Sequence, residues 1–220
     1  MEAVRKKKNY DLINPRTQKK VREESAEKIF NLICEIAHKT GDPGLIFLDK
    51  INKDNPTPKL GPLESTDSCG EQPLLPYESA NLGSINLSNM VKNGNIDFNK
   101  LKNTVNKAIH FLDNVIDMCR YPTPETKEIV YKNRKIGLGV MGFAEMLIKL
   151  RIPYNSDKAV KIAEKIIYFI RKEADNASMD LAKERLAFPS WEDSIYNGKG
   201  KVKPMPLRNA TRLTIAPTGS

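Results

Sequence analysis

Two histidines and three cysteines are all the imidazole and thiol ligands that the 220 residues offer a transition metal, and no two of the cysteines form a CxxC pair. That leaves no closed zinc set, so no metal site is expected. No apolar run approaches the roughly 18 residues that a membrane-spanning helix needs. After Met1 the chain reads EAVRKKKNY, with no apolar stretch of a secretory signal, so the expected location is the cytoplasm. Charge of one sign is in excess, with 36 Lys and Arg against 27 Asp and Glu for a net +9, but it is not concentrated. The lysines are spread along the chain, with short clusters at Arg5 to Lys8 and Lys199 to Lys203, and do not gather on one helix face, which argues against nucleic acid as the partner. A hydrophobic fraction of 40% is ordinary for a packed core, and the length suits one large domain or two small ones.

Three stretches differ in kind. Residues 1–40 open with NYDLINPRTQKKV, a hairpin pattern in which Leu12 and Ile13 precede an Asn-Pro turn and Val21 follows it. A helix is expected next, capped by Ser25, carrying Ile29, Phe30, Ile33, Ile36 and Ala37 at helical spacing, and ended by Gly41 and Pro43. Cys34 falls inside it and reads as a core or flank residue. Residues 41–92 hold many of the prolines and glycines and read as loops with brief strands. Their apolar punctuation, at Leu45, Ile46, Phe47, Leu74, Leu75, Leu82, Ile85 and Leu87, argues against disorder. Residues 93–220 return to helix. An apolar stripe runs from Leu101 through Val105, Ala108, Ile109, Leu112, Val115 and Ile116 to Cys119, which again reads as structural. A second long helix, capped by Ser156, carries Val160, Ile162, Ile166, Ile167, Phe169 and Ile170 towards Leu186 and stops before Pro189. The strand-like TRLTIA and the loop PTGS follow. Strand-like runs alternating with amphipathic helices give an α/β fold class.

Three motifs carry possible chemistry. Gly137, Gly139 and Gly142 match G-x-G-x-x-G, but the preceding KEIVYKNRKI is charged and no ribose-binding acid follows in a parallel-strand context. Close packing of small residues at the start of a helix is the favoured reading. The loop Ala216, Pro217, Thr218, Gly219 and Ser220 presents hydroxyls and free backbone N–H groups after a strand, and reads equally as an anion cradle or a plain turn. In TDSCGE, Asp67 and Glu71 flank Cys69 at minus two and plus two, so that on an extended loop all three side chains face one way. Two carboxylates disfavour a thiolate, and no histidine is nearby to act as its base, which is the wrong setting for a cysteine nucleophile. The arrangement suits a thiol that stays protonated and reacts through its hydrogen atom, with acids beside it for proton transfer.

On GDPGLIFLDKINKDNPTP, STDSCGEQPLLPYESANLGSINL, RKIGLGVMGFAEML and RNATRLTIAPTGS, the chain resembles the catalytic subunit of ribonucleotide reductases, most closely the adenosylcobalamin-dependent branch. The resemblance implies part of a ten-stranded α/β barrel with a finger loop inside it. It implies reduction of ribonucleotides to 2′-deoxyribonucleotides, with adenosylcobalamin as radical source and a thioredoxin-type protein as reductant. Cys69 matches the cysteine that becomes a thiyl radical and takes the ribose 3′ hydrogen, and Glu71 the base on the 3′ hydroxyl. Asp67 stands where the family has an asparagine that binds the ribose. Substrate is expected against Asp67, Ser68, Cys69, Gly70 and Glu71, and its phosphates against Ala216, Pro217, Thr218, Gly219 and Ser220.

Three departures from the family pattern follow. Ala80 replaces the second active-site cysteine, without which the two reducing equivalents of ordinary turnover have no source at that position. Asp67 exchanges an amide donor for a carboxylate. The family's amino-terminal region and everything after the phosphate loop have no counterpart here. The expectation is therefore a reductase fragment inactive alone, or one piece of a split or spliced enzyme that assembles with complementary reductase polypeptides, or a non-catalytic binding relic.

Overall fold

The computed structural model describes residues 1–198 and 203–217 and divides the chain into two compact units, Met1–Phe47 and Leu48–Ser220. In the first unit, helix α1 (Glu2–Arg5) leads into antiparallel strands β1 (Asn9–Ile13) and β2 (Lys20–Ser25) and then helix α2 (Ala26–Thr40). The Asn-Pro turn forms as expected: the Asn14 Oδ1 accepts from the backbone N–H of Arg16 at 2.9 Å and of Thr17 at 3.1 Å. The Ser25 hydroxyl accepts from the Lys28 N–H, and Gly41, at φ +86°, closes the helix by donating to the Ala37 carbonyl. Only Ala26 of α2 is buried. Cys34 is exposed, which rules out the core half of its reading and leaves it on the flank of α2; Leu45, Ile46 and Phe47 are exposed as well.

The second unit begins with helix α3 (Leu48–Lys53) and the short antiparallel pair β3 (Ser65–Thr66) and β4 (Pro73–Leu74). Strand β5 (Asn81–Asn86) follows, then the small hairpin β6 (Val91–Lys92) and β7 (Asn95–Ile96). Helices α4 (Phe98–Met118) and α5 (Pro124–Asn133) lead to strand β8 (Ile136–Met141), and helices α6 (Phe143–Lys149) and α7 (Asp157–Arg185) complete the regular elements. Strands β5 and β8 pair in parallel from Asn81↔Ile136 to Asn86↔Met141. TRLTIA runs beside β8 as the strand-like segment expected, bonded by Ile136 N–H to Thr211 O, Leu138 N–H to Arg212 O, and Thr214 N–H to Leu138 O. Among the described residues this parallel sheet does not close into a barrel.

The core lies between this sheet and the two long helices. From the α4 stripe, Leu101, Val105, Ile109, Leu112 and Ile116 are buried against Ile166, Ile170 and Ala174 of α7 and Ile85, Ile136 and Leu138 of the sheet. Each such side chain contributes about 1.5–3 kcal/mol by leaving water. Cys119 is exposed at the end of α4, so the stripe stops one turn before it and the structural reading of that thiol is corrected. Ser156 caps α7, which ends at Arg185.

The G-x-G-x-x-G glycines turn out to serve strand packing as well as the start of a helix. Gly137 and Gly139 lie inside β8, where an added Cβ at Gly139 would stand 2.9 Å from the Thr214 carbonyl oxygen, so they admit the terminal segment to the sheet. Gly142, at φ +69°, begins α6. The charged KEIVYKNRKI is mostly helix α5, and the strand it was expected to lack lies just beyond, in the glycine run itself. No described helix is long and apolar enough to cross a membrane.

Candidate functional site

TDSCGE spans the last residue of β3 and most of loop 67–72 at the tip of the β3–β4 hairpin. The hairpin closes because Asp67 bonds twice to Gln72: its N–H donates to the Gln72 carbonyl at 3.2 Å, and its Oδ1 accepts from the Gln72 N–H at 2.9 Å. The Asp67 carbonyl accepts from the Gly70 N–H at 3.2 Å, a turn with Asp at its first position and Gly70 at φ +87° where other residues are strained. Ser68, Cys69 and Gly70 are exposed at the tip, and Asp67 and Glu71 are half-buried on its two sides. Cys69 is a free thiol whose sulfur has one described polar neighbour, the Ser68 Oγ at 3.8 Å.

The far side of this loop is fixed to the terminal segment. The Thr214 hydroxyl donates to the Glu71 carbonyl at 3.0 Å, and the Gln72 amide donates to the Thr211 hydroxyl at 3.1 Å, which itself donates to the Ile136 carbonyl at 3.1 Å. The structure thus joins the thiol-bearing loop to the strand that leads into the expected phosphate loop. Of that loop, Ala216 is half-buried and Pro217 exposed, with no described bond to loop 67–72; Thr218, Gly219 and Ser220 lie outside the described residues. Ala80 is half-buried immediately before β5.

The two acids of the loop titrate in opposite senses. Partial burial pulls the Asp67 carboxyl upward, but hydrogen bonding with Glu71 and the backbone N–H of Gln72 outweighs it and holds Asp67 below the usual carboxylate range. Hydrogen bonding with Asp67 pushes Glu71 above that range.

Beneath the hairpin lies an ionic scaffold that the sequence reading missed. Lys135 is buried and its Nζ lies 2.6 Å from Glu78 Oε2 and 3.1 Å from the Pro73 carbonyl, which pins β4 to the start of β8. Burial lowers the lysine's pKa, and the Glu78 carboxylate opposes this. The other Glu78 oxygen accepts from the Asn133 amide at 2.7 Å, and Oε2 also accepts from the Leu75 N–H at 2.8 Å. A second centre is Asp113, fully buried on α4. It receives Arg134 Nε at 2.9 Å, the Asn209 amide at 3.0 Å and Arg208 Nε at 3.3 Å, while Arg134 also forks onto Asp117 at 2.8 and 2.9 Å. The signal for both was the NRK triplet directly before an apolar run, a place where charge is kept only with a partner.

Comparison with known proteins decides the family. The profile described as "Ribonucleotide reductase, barrel domain" matches residues 1–220. The chain belongs to that family. A vitamin B12-dependent ribonucleoside-diphosphate reductase of Thermoplasma acidophilum is 54% identical over 211 residues, 96% of this chain and 27% of that protein. The protein of the same description from Mycobacterium tuberculosis is 49% identical over 220 residues, all of this chain and 31% of its own. The ribonucleoside-diphosphate reductase subunit alpha of Chlamydia pneumoniae is 39% identical over 176 residues, 78% of this chain and 17% of its own. The chain therefore spans less than a third of the length of these ribonucleotide reductase relatives.

Proposed function

We propose that this chain is the part of a vitamin B12-dependent ribonucleotide reductase that carries the radical cysteine and the acids beside it, within a ten-stranded α/β barrel completed by other reductase sequence. The activity is reduction of ribonucleotides to 2′-deoxyribonucleotides, supplying DNA precursors. The observation that carries this reading is the hairpin tip: a free, exposed Cys69 between two carboxyl side chains, with its loop fixed by Thr211 and Thr214 to the strand that leads into the phosphate loop.

Adenosylcobalamin, when bound, supplies a radical by homolysis of its cobalt–carbon bond. The exposure of Cys69 fits a group that reaches the thiol from outside the loop, and Ser68, Cys69 and Gly70 are the residues it would meet. The Cys69 thiol gives up its hydrogen atom and the sulfur then takes the ribose 3′ hydrogen, while the carboxyl groups of loop 67–72 move the hydroxyl protons. The backbone amides and hydroxyls of residues 216–220 bind the substrate phosphates. Reduction also needs two electrons, and at position 80 a methyl group stands where a thiol would supply one of them, so the chain is not expected to turn over unaided, nor to take electrons from a thioredoxin-type protein through that position. The three cysteines are free, in keeping with a cytoplasmic setting.

A graft tests this. Residues 1–220 replace the matching segment of a full-length vitamin B12-dependent reductase, and deoxynucleotide is followed with adenosylcobalamin, a ribonucleoside diphosphate and a dithiol. No sustained turnover is expected as the sequence stands, product is expected with Ala80→Cys, and none when Cys69→Ser is added. Sustained dithiol-driven turnover with Ala80 in place, or product that survives Cys69→Ser, would defeat the reading, as would a folded Ala80→Cys graft that makes none.

A further inference from the structure

The two carboxyl groups of the hairpin loop are held differently. Asp67 is bonded to the Gln72 N–H through Oδ1, which favours its ionised form. Glu71 is anchored through its backbone carbonyl by Thr214, its carboxyl lies within hydrogen-bond reach of the Asp67 carboxyl, and its Oε2 is shielded from solvent with no N–H or O–H donor among the described residues. An ionised oxygen in that position has neither water nor a donor, which is costly. Cations on the segments packed against the loop are engaged elsewhere. Lys135 is paired with Glu78, and Arg212, whose neighbours Thr211 and Leu213 are neutral, bonds Asp175 at 2.8 Å. The remaining titratable group of the loop is the Cys69 thiol, which is neutral when protonated. Two negative charges here would repel with nothing to offset them.

We propose that Asp67 and Glu71 form a one-proton pair, with the proton on Glu71 donated to the Asp67 carboxylate. In the resting loop Asp67 is then the acceptor available to a substrate hydroxyl proton and Glu71 is a proton donor, an exchange of the duties that the family pattern of asparagine and glutamate implies. The pair carries a single negative charge. It keeps the charge of an asparagine–glutamate site and moves it to the other end of the loop. The downward pull on Asp67 and upward push on Glu71 agree with this division. What the proton is used for rests on the reductase reading; where it resides does not.

The test is a pH titration of the carboxyl carbons of the full chain by ¹³C NMR, with no substrate or cofactor, so it is read whether or not the protein reduces anything. Two separated steps are expected, Asp67 in the lower and Glu71 in the higher. Asp67→Asn retains an oxygen for the Gln72 N–H and replaces the charge with an amide donor, so Glu71 is expected to fall to the ordinary carboxylate range or below. In Glu71→Gln, Asp67 is expected to stay low, since the new amide also donates to it. An unmoved Glu71 in Asp67→Asn would overturn the pair, as would two coincident ordinary midpoints in the parent chain. A marked fall of Asp67 in Glu71→Gln would show that the proton had been on Asp67, and would overturn the assignment. If Asp67→Asn does not fold, the parent chain and Glu71→Gln decide between these outcomes.

Discussion

Helices α2 and α4 carry apolar stripes of the same kind, and both are capped where their sequences call for it, but they end in different surroundings. In α4, Leu101, Val105, Ile109, Leu112 and Ile116 are buried against α7 and the sheet. In α2 only Ala26 is buried, while Leu32 and Ile36 are exposed and Ile29, Phe30 and Ile33 are half-buried. Caps and turns are decided within a few residues of chain. Burial of a stripe requires another element to lie on it, and within the first unit a two-stranded hairpin and a one-turn helix are all there is. Stability is therefore concentrated in the second unit, and hairpin loop 67–72 is built on that side of the division.

The strongest way to sharpen this contrast is to break the buried ion pair of the second unit. Lys135→Met leaves Glu78 charged and unpaired in the interior and is expected to cost about 3–5 kcal/mol, read as a lower urea midpoint of the second unit. A loss within error of zero would refute the buried pair as a contributor to the stability of the second unit. Next comes a matched pair of truncations. Ile109→Ala in α4 is expected to cost about 2–5 kcal/mol, and Ile33→Ala in α2 about 1 kcal/mol or less. Equal losses would erase the distinction between the two stripes. Hydrogen exchange should agree, with α2 amides exchanging well before those of α4.

Smaller effects test the approach of the terminal segment to β8. A Cβ at Gly137 would stand 2.6 Å from Leu82 Cδ2 and 2.9 Å from Thr214 Cγ2, so Gly137→Ala is expected to cost about 1–3 kcal/mol and to loosen the amides of residues 211–214. Normal stability with normal exchange there would refute close packing as the reason for the glycine. The smallest effect concerns pH. Hydrogen bonding to the Arg134 guanidinium holds Asp117 below the usual carboxylate range. Its folded pKa being depressed, the stability it contributes is present above the unfolded-state pKa and lost as pH falls through the folded value. Asp117→Asn should therefore flatten the acid limb of a plot of urea midpoint against pH, slightly, because that side chain is 43% exposed. An unchanged limb would assign the acid sensitivity to other carboxylates.

Legibility followed the range of the interactions. The Asn14 turn, the caps at Ser25 and Ser156 and the stripe of α4 were readable because each depends on neighbours in sequence. Helix α5 was not, since its charged surface hides one buried turn around Val130 and Asn133. The terminal strand was legible in TRLTIA, but the role of Gly137 and Gly139 as its seat was not, because the approaching Thr214 is some 75 positions away along the chain. Within the candidate site, the thiol between two acids was plain in TDSCGE, and the missing thiol at Ala80 became meaningful through the family resemblance. That the loop's two acids have opposite titration needed the contact between their carboxyl groups and the Gln72 N–H on Asp67.

By itself, then, the sequence determined the chemistry-bearing residues of the loop and the family pattern from which Asp67 and Ala80 depart, since these are matters of residue identity and short spacing. Tertiary structure decided which apolar stripe is covered and which charges are buried and paired. Those outcomes depend on the dielectric and hydrogen-bond partners around each group, and such surroundings are assembled from segments far apart along the chain.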